Sequence, residues 1–581
     1  MKKHYETHVE DTDKLISVAG PILEYKSWYE QYRKLMEEQA QRKYGLYTPT
    51  SEGNEDDFPS ISGMIARYSA LGLTNEEMSK NPVWVDKTGN GHDLQMKNFA
   101  WGGMSGVNGY VQNFNYFRNN ATVDKVRIDE QSSNSIKVTL LTSGMGHVIY
   151  IPKDIYQFNK SYFIKISSEG YNEGDLFLSF YAPSTSTATT VKVPLNPNGI
   201  TEIPAIKEDD FLAVYLFNAA GKVGSITIEQ LPLYPGALVF DGVDDYGVCE
   251  NFPILTKEKG YTVVALRQYL VDKSTAYLTA NGDSISNTSF ILEGNNYRDT
   301  WNFGRATTIQ ASRILATQTS KQYDGVKLNI GTNTEGSNLL QVGKWSKSYS
   351  NVAIWELVFL DHDATEEELT KIKDYFVKTY PWLFPDQAWT VTGKTNEDED
   401  RATIANITGN GNDLILSNFG FIEGSGYNEE GEYAGYLVTD GVDDKAVSKQ
   451  FKFGENFTVI LDFKFPVKKI SYCGFDLSSK VRIQNLQGSG VYVVLKGNKT
   501  LIPSNVVRAV TSEGKVYDEN WNEYNIVPGN ISSNYTMVNL GFDGSNQFAE
   551  SATKLAGIYS STLSKDDCIK AYNYLQTLKA K

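Results

Sequence analysis

Two stretches of this chain, far apart, read almost alike. Thr88-Gly89-Asn90-Gly91-His92-Asp93-Leu94 precedes Asn98-Phe99, and Thr408-Gly409-Asn410-Gly411-Asn412-Asp413-Leu414 precedes Asn418-Phe419. Upstream of each lies Gly72-Leu-Thr-Asn-Glu-Glu77 or Gly393-Lys-Thr-Asn-Glu-Asp398. Downstream stand Leu238-Val-Phe-Asp-Gly-Val-Asp-Asp245 and Leu437-Val-Thr-Asp-Gly-Val-Asp-Asp444. Three matches in one order mean a duplicated domain, which excludes a single continuous core. Spacing adds an asymmetry. Thr88 to Asp241 is 153 residues, Thr408 to Asp440 only 32, so the first copy carries about 121 extra residues. Each copy closes on a helix start, Thr365-Glu-Glu-Glu368 or Ser564-Lys-Asp-Asp567, followed by apolar residues at helical spacing.

These spacings divide the chain. Residues 63–104 with 233–380 make the first copy, 381–386 a linker, and 387–581 the second copy. The intervening 105–232 holds short β-rich runs such as Ile136–Leu140, Leu176–Phe180 and Phe211–Phe217, separated by Gly, Asn, Ser and Pro. Six or more such runs read as an independent β-sandwich inserted at the host's surface. Residues 1–62 differ: Tyr25, Trp28, Tyr29, Tyr32, Leu35 and Met36 recur at helical spacing and predict a short amphipathic helix. Such a helix either packs on the first copy or docks the chain through Tyr25, Trp28, Tyr32 and Leu35 onto a partner or sister subunit.

Composition removes several function classes. A net charge of −15 argues against binding a nucleic-acid backbone. No apolar run reaches the ~20 residues of a membrane helix, and the first fifteen residues do not read as a secretory signal. Three scattered cysteines, Cys249, Cys473 and Cys568, make no disulfide framework. The 12% aromatic content suits β-sandwich cores and contact surfaces for sugars or proteins.

The repeated phrases read as turns. Gly-Asn-Gly-x-Asp lacks the following helix that an anion-binding loop needs, and Asp-Gly leaves a strand in both copies. Asp244, Asp245, Asp443 and Asp444 make calcium the one cofactor to consider, but Phe252 stands where an EF-hand's closing Glu belongs, and turn formation is the commoner role. Otherwise no cofactor and no metal site is expected. Thr392-Gly-Lys-Thr395 lacks the glycine and βαβ setting of a nucleotide loop. The five histidines show no metal-ligand spacing, and no Gly-x-Ser-x-Gly elbow occurs.

The helix-closed tails and Phe-Asp-Gly-Val-Asp-Asp-Tyr246 resemble the laminin-G-like branch of the concanavalin A-like jelly rolls. The insertion resembles, more loosely, a carbohydrate-binding module. Thr-Asn-Glu-Asp with Thr-Gly-Asn-Gly-Asn-Asp-Leu also resembles virion proteins of crAss-like and other tailed phages of gut Bacteroidales. These resemblances imply an all-β protein: two laminin-G-like jelly-roll sandwiches, the first interrupted by a smaller β-sandwich, after an N-terminal helical region. They imply a non-enzymatic head or tail fibre or decoration protein of the virion, homo-oligomeric, held to other virion proteins by its N-terminal region, with modules for glycan or host-surface adhesion. Trp101 and Trp301 are the visible glycan-contact candidates. A cellular glycan-binding protein is the first rival. The second is a glycoside hydrolase of the concanavalin-like superfamily, for which a Glu-x-Asp-x-Glu strand is required. Glu519-Asn-Trp-Asn-Glu523 comes nearest, but Trp521 replaces the central Asp, so no catalytic residue is assigned.

Overall fold

The structure, a computed structural model, describes residues 57–581 except 145, 257–258, 271–276, 284–290, 295–313, 321–336, 466–470, 479, 486–490, 531–534, 543–547 and 581. The N-terminal helix with Tyr25, Trp28, Tyr32 and Leu35, and also Trp301, lie outside the described residues.

Two antiparallel sheets face each other in each copy. In the first, one sheet runs Leu315–Thr319, Thr262–Tyr269, Asn351–Leu360, Leu238–Asp241, Gly106–Val107, with Met64–Ser69 also on the long strand Asn351–Leu360. In the second, the corresponding order is Val506–Thr511, Thr458–Lys464, Glu550–Tyr559, Leu437–Asp440, Gly426–Tyr427, with Gln387–Thr390 on Glu550–Tyr559. The facing sheets match likewise. The second copy extends one sheet with Lys515–Tyr517 and Glu523–Asn525 and the other with Val491–Leu495 and Asn498–Ile502. This is one jelly roll built twice. Both central strands are buried along most of their length; Asn351–Leu360 is a nearly unbroken apolar run, as a strand covered on both faces must be, while Glu550–Tyr559 is polar in its first half and apolar from Leu555 on. Separate cores fill the two sandwiches, around Tyr68, Trp84, Phe240 and Phe359 in the first and Trp389, Phe457, Phe463 and Phe475 in the second.

The repeated phrases are the turns that set these strands. Asn90 Nδ2 donates to the Met64 and Ile65 carbonyls at 3.2 and 2.8 Å, and Asn410 Nδ2 donates to the Asp386 carbonyl at 2.6 Å. Asp241 and Asp440 each accept the backbone N–H two residues on at 2.8 Å. Gly242 has φ +74°, and a Cβ there would stand 2.7 Å from Asn351 Cβ, so no other residue fits this turn.

The insertion leaves the host later than the boundary at 104/105 expected. Gly106–Val107 pairs with Leu238 and Val239, so it belongs to the first jelly roll. The exit and return then run side by side: Asn108 N–H donates to the Ala237 carbonyl (2.7 Å), Tyr234 N–H to Asn108 (2.8 Å) and Leu233 N–H to Gly109 (2.9 Å). Between them stand two five-stranded sheets. One runs Val191–Pro194, Leu176–Tyr181, Ala213–Asn218, His147–Pro152, Arg118–Asn119. The other runs Ile200–Ile203, Tyr162–Ser168, Gly224–Gln230, Ser135–Leu140, Val126–Gln131. They enclose a core of their own around Phe114, Ile151, Phe180 and Leu216.

The C-terminal helix Lys565–Gln576 is where the three sandwiches meet. Ser564 caps it by accepting the Asp567 N–H at 3.1 Å, and Asp566 and Asp567 favour its first turn. Tyr572 lies edge-on to Phe163 of the insertion at 5.6 Å, and Asn573 donates to the Pro232 carbonyl at 3.2 Å. Gln268 of the first jelly roll donates to Thr577 just past the helix at 2.9 Å. Beneath lies a buried charge cluster. Arg508 bonds Asp462 within the second jelly roll and reaches Glu202 of the insertion at 3.1 Å, while Tyr436 and Gln576 each donate to Asp462 at 2.8 Å. Burial raises Asp462, but the Arg508 charge outweighs it and holds the carboxyl low; for Glu202 burial wins and raises it. The connection 381–386 is packed, with Trp382 and Leu383 buried and the Tyr559 hydroxyl donating to the Trp382 carbonyl.

Candidate functional site

The two sheets of the insertion have different tasks. The sheet carrying Phe163 and Glu202 turns its outer face to the second jelly roll. Among the described residues, no ring contact, ion pair or side-chain hydrogen bond from either jelly roll reaches the outer face of the opposite sheet, and its side chains there are mostly aromatic. Strand alternation explains how. In Leu176–Tyr181, Leu176, Leu178 and Phe180 enter the core, so Phe177, Ser179 and Tyr181 face outward. In Ala213–Asn218, Val214 and Leu216 point in, and Tyr215 and Phe217 point out. Tyr150 and His147 complete the surface from the next strand.

Register places these side chains in two rows. Phe177 opposes Phe217, which opposes His147. The second row crosses all five strands, Lys192–Ser179–Tyr215–Tyr150–Arg118. The His147 ring lies 4.5 Å from Tyr215, 5.1 Å from Phe217 and 5.4 Å from Tyr181, and Tyr150 lies 5.6 Å from Tyr215. Most of these rings are half-buried; Tyr215, at 9% exposed, is the floor. Lys192 Nζ sits 4.2 Å over Phe217 and 5.9 Å over Phe177. Burial, and then the Lys192 charge, lower His147 below its ordinary value, so the imidazole is neutral at pH 7. Ser179 Oγ is buried on this face with no hydrogen-bond partner among the described residues. A shallow surface of flat rings with a few polar groups stacks planar or apolar-faced ligands and orients them by hydrogen bonds.

The residues singled out from sequence lie elsewhere. Trp101, with φ +51°, stacks on Phe99 at 4.8 Å and packs against the first jelly-roll core. Its repeat counterpart Phe421 has φ +52°. In each copy three carboxylates (Asp241, Asp244, Asp245; Asp440, Asp443, Asp444) have oxygens within 4.8 Å of one another. In the first copy two of the three are engaged: Asp241 Oδ1 accepts from Val243 and Asp244, Asp245 Oδ2 from the Asp241 N–H, and Asp245 Oδ1 from Ser105. Glu519 and Glu523 flank a turn rather than share a strand. Asp518 holds that turn through Asn520, Asn522 and Tyr524. Glu519 accepts from Ser504, Glu523 pairs with Lys515, and Trp521 is buried against Tyr572.

The aromatic face went unread in the sequence, although a signal was there. Leu176–Tyr181 and Ala213–Asn218 carry large apolar residues in both alternation phases. One phase fills a core, and the other must either be covered or serve as a surface.

No family model matches this chain, and no curated protein matches it. Among solved structures, Trypanosoma rangeli sialidase in complex with sialic acid overlaps 82% of this chain and 98% of its own at 9% identity and TM-score 0.26. A mutant of that sialidase displaying trans-sialidase activity overlaps 42% of this chain and 44% of its own, less than half its length, at 9% identity and TM-score 0.23. The tandem CBM22 domains of Paenibacillus barcinonensis Xyn10C overlap 45% and 99%, at 13% identity and TM-score 0.16. At such overlap no residue role passes to this chain.

Proposed function

We propose that this chain is a non-enzymatic adhesion protein whose inserted sandwich binds glycans through its outer aromatic face. What carries the reading is that Phe177, Tyr181, Tyr215, Phe217, Tyr150 and His147 form one contiguous surface on the sheet opposite the docked one. The apolar faces of pyranose rings stack on such rings, and the tyrosine hydroxyls offer bonds to sugar hydroxyls. The two jelly rolls and the buried junction hold the module in one orientation. Binding of the full chain to a polysaccharide panel, by affinity electrophoresis or calorimetry, tests this. Tyr150→Ala with Tyr181→Ala removes rings outside the core and lowers affinity at least ten-fold, with melting little changed. Undiminished binding by that variant would sink the reading.

The finer form of the proposal places the protein on a virion surface, as a head or tail fibre or decoration subunit attached through residues 1–62. It rests on the resemblance of Thr-Asn-Glu-Asp and Thr-Gly-Asn-Gly-Asn-Asp-Leu to virion proteins of Bacteroidales phages. Mass spectrometry of purified particles tests it, and a chain found only in cellular fractions speaks for the cellular glycan-binding alternative. Reducing-sugar release abolished by Glu519→Gln or Glu523→Gln would overturn the non-enzymatic part.

A further inference from the structure

The aromatic face carries charge of one sign only. Its five strands read Arg-Asn, His-Val-Ile-Tyr-Ile-Pro, Leu-Phe-Leu-Ser-Phe-Tyr, Val-Lys-Val-Pro and Ala-Val-Tyr-Leu-Phe-Asn, without one Asp or Glu, in a chain of net charge −15. Its two cations, Lys192 and Arg118, are exposed, and neither forms an ion pair among the described residues. They occupy the two ends of one cross-strand row, Lys192–Ser179–Tyr215–Tyr150–Arg118. Four strand spacings separate their backbones, about 19 Å, and the Lys192 side chain reaches inward over Phe217. The nearest acidic neighbour in sequence, Asp175 ahead of Leu176, is held by Lys222 at 2.6 Å.

We infer that the ligand of this face is an anionic oligosaccharide lying across the strands, its rings over Tyr215 and Tyr150 and its acid groups at Lys192 and Arg118. The inference rests on the glycan-binding reading and adds the substrate class. Two cations rooted on opposite edge strands, with aromatic rings between, complement a chain that bears acid groups at intervals. A nucleic acid, with a charge at every phosphate, meets too few cations here. The overall negative charge does not forbid the glycan, because charges beyond about 8 Å are screened at physiological salt.

The test uses the full chain with three probes, namely polygalacturonate, its fully methyl-esterified neutral form, and heparin, plus a single-stranded oligonucleotide. Expected are binding to polygalacturonate or heparin at least ten-fold tighter than to the neutral form, weakening with salt, and a loss of about ten-fold for each of Lys192→Gln and Arg118→Gln. Polygalacturonate against heparin separates a carboxylate-only ligand from a sulfated one. Neutral and acidic forms bound equally, with Tyr150→Ala and Tyr181→Ala still reducing both, overturn the charge assignment and leave the glycan reading standing. No polysaccharide bound, or binding indifferent to the tyrosines, overturns both. Oligonucleotide bound tighter than every glycan overturns the ligand class. Unchanged melting of the two Gln variants ties any loss to the face itself.

Discussion

Asp245 and Asp444 show how the repeated Asp-Gly-Val-Asp-Asp phrase works at the level of one carboxyl. Burial first, and then repulsion from Asp241, drive Asp245 up to about 7, although the Asp241 N–H and Ser105 bonds pull against them; Asp444 rises to about 6. A folded-state value above the unfolded one means that folding favours the protonated carboxyl. The associated stability is therefore complete below about pH 4 and is lost as pH rises through about 7. Melting of the full chain should fall by roughly 5 °C between pH 5 and 8, and Asp245→Asn should flatten much of that slope. Scanning calorimetry across that range checks it. Added calcium should leave the slope unchanged, since the Asp241 and Asp245 oxygens already serve the turn; a slope reversed by calcium would assign the carboxylates to a metal.

Among the elements, the helix Lys565–Gln576 and the strand Val506–Thr511 do the joining. Arg508 is 5% exposed and shares its charge between Asp462 and Glu202. Removing it strands Asp462 in a buried site, so Arg508→Ala should cost about 3–5 kcal/mol in denaturant unfolding. Glu202, with its side chain 31% exposed, contributes less to stability but links two modules. Glu202→Gln should leave the midpoint nearly unchanged, and limited proteolysis should then cut faster at the joints near residues 108 and 233. Equal cutting would mean that Phe163 and Asn573 hold the insertion without the charge pair.

For the whole molecule, the insertion is a loop grown into a domain. Its ends lie side by side, bonded through Asn108, Tyr234 and Ala237, so closing the gap costs little chain entropy. Replacing residues 110–232 by a short Gly-Ser turn should leave both jelly rolls folded, with two-thirds or more of the strand signal kept by circular dichroism, and should abolish glycan binding. Loss of the first jelly roll in that variant would show that the insertion supports its host.

The jelly-roll fold of both copies, the inserted sandwich and the closing helices were legible in the sequence. They rest on local chemistry: Gly and Asn in left-handed turns, alternating apolar residues, and capping boxes such as Thr365–Glu368. A repeat makes that local chemistry readable twice. The aromatic face was not legible, because Tyr150, Phe177, Tyr181 and Tyr215 come from strands up to 65 residues apart and look like core residues one at a time. Only strand pairing puts them in neighbouring rows, and only the docking of the other sheet through Phe163 and Glu202 decides which face stays open. Residue type and spacing determine what a strand can bury; which of its two faces meets solvent depends on partners hundreds of residues away, and the tertiary structure alone decides it.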